Sequence, residues 1–63
     1  MFIVRSREDV FPAVKRLRSG KSVIVVPSML STFKYEACRK GIEFFITDFG
    51  WGYEITSKGG KND

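Results

Sequence analysis

The chain has 63 residues, 43% of them hydrophobic, 14% aromatic and 29% charged, and carries a net charge of +4. That length allows one domain, which buries only about 60% of the surface of its unfolded chain, and the apolar content is too high for an intrinsically disordered segment. One cysteine and no histidine exclude an internal disulfide framework and a zinc site built from nitrogen and sulfur ligands.

The longest apolar run, residues 23–27, is far below the roughly 20 residues of a membrane span. Residues 1–4 are too few for the ~7–15-residue apolar core of a signal peptide. The expected setting is a reducing cytoplasm, with no membrane contact.

In chain order, residues 2–5 read as a short first strand, apolar and β-branched before turning charged. Val10, Phe11, Val14 and Leu17 recur at helical spacing, which predicts a helix over 10–18 with Asp9 as N-cap and Pro12 in its first turn. Arg16 and Arg18 then sit beside the negative end of the helix dipole, and Gly20 gives a permissive exit. The unalternating run at 22–26 reads as a central strand. Pro27 ends it, and a second helix follows with Ser28 or Ser31 as N-cap, an apolar stripe of Leu30, Phe33, Ala37 and Cys38, and Gly41 as the stop. Residues 43–47 and 53–57 alternate well enough to pair as a hairpin across the loop 48–52. Residues 58–63, polar and rich in glycine, are expected to form a mobile tail after a single domain over 1–57.

The order β-α-β-α-β-β, with a right-handed first crossover, predicts an α+β two-layer open sandwich: a four-stranded mixed sheet with both helices on one face. In topology only, this order resembles the open sandwiches represented by the C-terminal domain of bacterial translation initiation factor three, the Alba chromatin proteins and the SirA-like sulfur carriers. No residue motif selects among them. The SirA-like carriers place a cysteine beside a proline at the start of the first helix, where this chain has Phe11-Pro12, so sulfur transfer is not supported.

Charge is polarised along the chain. Lys15, Arg16, Arg18, Lys21, Lys34, Arg39 and Lys40 face one acid, Glu36, across residues 15–40, whereas residues 43–56 hold Glu43, Asp48 and Glu54 and no base. A contiguous patch of those seven bases on the helical layer would contact phosphates; the bland reading is a solvated helix surface with dipole-favourable ends. The hairpin segment holds Phe44, Phe45, Phe49, Trp51 and Tyr53, more than half of the chain's aromatics. If Phe44, Ile46 and Ile55 face the helices, then Phe45, Thr47 and Thr56 line the open sheet face. Exposed aromatics on a sheet stack bases in RNA-recognition domains, but Glu43 and Glu54 repel phosphates there, so self-association or a protein partner suits this face better. Trp51, set between two glycines, is either an interface anchor or, the favoured reading, folds back over the end of the core.

Catalysis finds little support. The Gly20-Lys21-Ser22 string lacks the upstream glycine and following helix of a phosphate-binding loop. Cys38, placed on the apolar stripe, reads as a buried core thiol rather than a nucleophile. Glu8 and Asp9 read as helix-start carboxylates, with no partner group to complete an acid–base site. The sequence thus points to a non-enzymatic nucleic-acid-binding protein acting through the basic helical layer, with no cofactor, no metal and no small-molecule substrate. The alternative is a protein-binding adaptor or inhibitor of phage or plasmid type that docks through Phe45, Thr47 and Trp51. A homodimer is compatible with either.

Overall fold

The computed structural model describes residues 1–58; of the tail expected over 58–63, Lys58 instead bonds to the hairpin, its N–H donating to Glu43 C=O, and the rest lies outside the described residues. The elements are β1 (Ile3–Val4), α1 (Val10–Arg18), β2 (Val23–Val25), α2 (Leu30–Arg39), β3 (Phe44–Asp48) and β4 (Tyr53–Ser57). They build a small α+β open sandwich whose four-stranded mixed sheet has the order β1-β2-β4-β3. β1 and β2 are parallel, and β4 is antiparallel to both β2 and β3. The final strand therefore inserts between β2 and β3, leaving β1 and β3 as the sheet edges.

The expected helix over 10–18 is present with those bounds, but Asp9 does not cap it in the expected way. A turn of 3-10 helix at Arg7–Asp9 precedes α1, so Asp9 is already in a helical backbone conformation and its side chain makes no cap bond to α1. Its carboxylate instead accepts hydrogen bonds from the backbone N–H groups of Arg5 (3.0 Å) and Ser6 (3.3 Å), tying the strand exit to the helix entry. A second 3-10 turn, Pro27–Met29, similarly replaces the expected serine caps of α2. Ser28 lies inside that turn and Ser31 inside α2, and no side chain caps either element. Proline at the first turn position supplies the start signal, because its fixed φ suits a helical entry and its missing N–H is not needed there.

Both helices stop where the sequence predicts. Gly20 and Gly41 have φ of +87° and +72°, and each closes a Schellman motif. Lys21 N–H donates to Arg16 C=O and Gly20 N–H to Leu17 C=O; Ile42 N–H donates to Ala37 C=O and Gly41 N–H to Cys38 C=O. Non-glycine residues are disfavoured in that left-handed conformation by crowding of Cβ against the following carbonyl.

The core lies between the helices and one sheet face. Leu17, Val14 and Ala13 of α1 and Phe33 and Ala37 of α2 pack with Val4, Val23, Val25 and Ile55, so both helices cover the same face. Cys38 does not join them and is exposed. At about 100° per residue it lies about 140° around the helix from Phe33, whereas Ala37 lies only about 40° away, so a five-residue step leaves the stripe that a four-residue step keeps. On the opposite face Ile24 is nevertheless 4% exposed. Gly52 lies against it: a Cβ there would stand 3.4 Å from Ile24 Cγ2 and 3.2 Å from the Val25 carbonyl.

Candidate nucleic-acid interface

Because β1, β2 and β3 run in one direction, α1 and α2 both return along the sheet toward the end where the next strand begins. Their C-terminal turns therefore face the same end of the molecule, separated from β2 and β3 only by the short links that follow Arg18 and Arg39. Arg16, Arg18 and Lys21 belong to the first of these ends and Arg39 and Lys40 to the second. Lys15 lies one turn inside α1 and Lys34 lies mid-helix on α2. All seven are exposed, and the negative ends of both helix dipoles stabilise the basic side chains that sit beside them.

The long side chains are partly organised by aromatic rings. The Arg16 guanidinium stands 4.9 Å from the centre of the Phe2 ring, Arg39 lies 5.8 Å from that of Tyr35, and the Lys40 ammonium lies 5.8 Å from that of Phe11. Cation–π contacts of this kind hold a charge in place without neutralising it. Glu36, the one acid of the segment, is partly buried and sits 3.5 Å from the exposed Arg39; an i,i+3 pair at a helix surface contributes about 0.5 kcal/mol and is weakened by salt.

The hairpin has a different character. The β3–β4 register places Phe45 opposite Thr56 and Thr47 opposite Glu54, and β2–β4 pairing sets Glu54 beside Ile24. Since Ile55 and Val23 belong to the core, Phe45, Thr47, Glu54 and Thr56 occupy the sheet face away from the helices, as the alternation predicts. Ser22 and Thr56 share a 3.1 Å hydroxyl hydrogen bond on that face. Phe45 is 58% exposed, and the Lys58 ammonium lies 5.1 Å from its ring centre. Trp51 does not fold over the core: it is 57% exposed and stacks on Phe49 with ring centroids 6.3 Å apart. Two local bonds hold the loop in this form. Gly50 N–H donates to Asp48 Oδ1 at 2.7 Å, and Phe49 N–H donates to Gly52 C=O at 2.8 Å. With the loop closed on itself, the glycine backbone, not the indole, approaches the sheet.

Other chemistry is sparse among the described residues. No group of three or more Cys, Asp or Glu is arranged to hold a metal ion, and no helix is long and apolar enough to cross a membrane. A surface groove lined by Arg7, Val10, Phe11, Thr32 and Glu36 measures about 110 Å³, well below the roughly 300–1,000 Å³ of a small-molecule site. Compared with family models, with curated proteins and with solved structures, the chain matches none.

Proposed function

We propose that this chain is a small, non-enzymatic nucleic-acid-binding protein of the cytoplasm whose basic helical layer contacts phosphates. The observation that carries the reading is the exposure of Arg16, Arg18, Lys21, Arg39 and Lys40 around two helix C-termini that point to one end of the sandwich, with Lys15 and Lys34 exposed further back along the same helices and a single weakly paired acid, Glu36, in the segment. Such a surface attracts a polyanion through counterion release and reads backbone rather than base sequence.

Anisotropy titrations with labelled single-stranded and duplex oligonucleotides test it. If about five phosphates are neutralised, affinity falls by roughly two to three orders of magnitude between 50 and 200 mM salt. The triple variant Arg16→Glu, Arg18→Glu, Arg39→Glu should fold and lose binding, since none of the three side chains is buried. Full affinity in the folded triple variant sinks the proposal.

A second reading has its own observation in the exposed Phe45 and the Phe49–Trp51 stack, which lie in an acidic hairpin and suit a protein partner. As an adaptor or inhibitor, the chain would show no oligonucleotide binding even at low salt. Trp51→Ala would then weaken capture of the partner, while under the first reading the same variant leaves oligonucleotide affinity unchanged.

A further inference from the structure

Strand β3 is a sheet edge five residues long, and of the devices that usually keep an edge from pairing it carries only a charge at its last residue, Asp48. It contains no lysine, arginine or proline, and the other edge, β1, is only two residues long. Ile46 is 39% exposed and Phe45 58% exposed, so two large apolar side chains meet solvent beside the exposed Thr47 and Asp48. Natural proteins blunt such edges when they must remain single.

The hydrogen-bond phase of the hairpin defines what this edge offers. Lys58 N–H donates to Glu43 C=O, and Phe49 N–H donates to Gly52 C=O. In an antiparallel ladder the bonded pairs alternate, so residues 43, 45, 47 and 49 direct their backbone groups at β4. Phe44, Ile46 and Asp48 therefore direct their N–H and C=O groups outward. These outward residues are symmetric about Ile46. If two copies of β3 run antiparallel with Ile46 opposite its own equivalent, Phe44 falls opposite Asp48 of the second copy and the reverse, and all three pairs are in bonding phase.

We propose that a second copy of this chain pairs along β3, centred on Ile46, to form a two-fold dimer with one continuous eight-stranded sheet. Side-chain chemistry agrees with the register. The two Ile46 side chains meet at the axis, each Phe45 lies opposite a Thr47 on the open face, and no like charges are directly opposed. Asp48, the one charge in the strand, already has its carboxylate bound by Gly50 N–H. A two-fold axis normal to the sheet keeps both helical layers on the same side, with their C-terminal ends at opposite ends of the joined sheet. The inference is independent of what the helical layer binds.

One strand pair with its flanking side chains makes an interface at the small end of the known range, which suggests a dissociation constant on the order of 10–100 μM. Sedimentation equilibrium should then show the apparent mass rising from 7.2 kDa toward twice that value with concentration. Ile46→Lys, which sets two like charges on the axis, should return the chain to monomer. Amide exchange on the wild-type protein provides a test that needs no variant. The outward amides of Phe44, Ile46 and Asp48 should gain protection as concentration rises, while those of Phe45, Thr47 and Phe49 are protected throughout by β4. A monomer up to about 1 mM, a dimer that persists in folded Ile46→Lys, or outward amides whose exchange ignores concentration would each overturn the proposal.

Discussion

Cys38 shows how one residue step changes a side chain's surroundings. Grouped with Phe33 and Ala37 by composition, it is off their face by rotation and open to solvent. Its thiol should react with a disulfide reagent in the folded protein at a rate within a fewfold of that in denaturant, because access does not require opening. Reaction gated by unfolding, slower by orders of magnitude, would place the thiol in the core after all. Asp9 and Trp51 teach the same lesson. Their neighbours in sequence suggest a helix cap for Asp9 and a core position for Trp51, yet each makes its contacts through a turn that the apolar pattern does not encode.

At the scale of elements, the helix ends are the most legible feature of the chain. Basic residues in the last turn followed by glycine predict the stop at both helices, and both stops are closed Schellman motifs. An added Cβ would meet nothing within 4 Å at Gly20 or Gly41, so the cost of Gly41→Ala is purely conformational, about 1–2 kcal/mol. Urea denaturation should show that loss, and Gly41→Asn should recover part of it, since asparagine tolerates the left-handed conformation. An alanine variant as stable as the parent would contradict the cap. Helix starts are less legible, because proline and a 3-10 turn serve at Pro27–Met29 where the serines nearby suggest a side-chain cap. The faces of the hairpin were legible from alternation, since Phe44 and Ile55 face the core and Phe45 and Thr56 do not.

At the scale of the whole molecule, a few side chains carry most of the stability. Phe33 is the largest fully buried side chain, and truncating it costs about 3–5 kcal/mol. A chain of this length has only about 3–9 kcal/mol in total. Phe33→Ala should therefore be largely unfolded or melt far below the parent, as followed by circular dichroism, whereas an exposed truncation such as Tyr35→Ala should change the melting point little. A cooperative Phe33→Ala melt close to the parent's would mean that α2 packs elsewhere. Charge is also unevenly spread: seven bases lie on and just beyond the two helices with Glu36, while β3, β4 and their loop hold Asp48 and Glu54 and no base.

From the sequence by itself came the element order, both helix stops, the hairpin and its faces, and the split of charge between helical layer and hairpin. These are local or periodic properties, set by backbone chemistry and by the 3.6- and 2-residue repeats. Only the tertiary structure decided that β4 inserts between β2 and β3, that β3 is thereby a sheet edge among the described residues, that Cys38 and Trp51 are exposed, and that both basic helix ends point the same way. Those outcomes depend on which strands pair and in what direction, and contacts between segments distant in the chain leave no mark in the local pattern of either one.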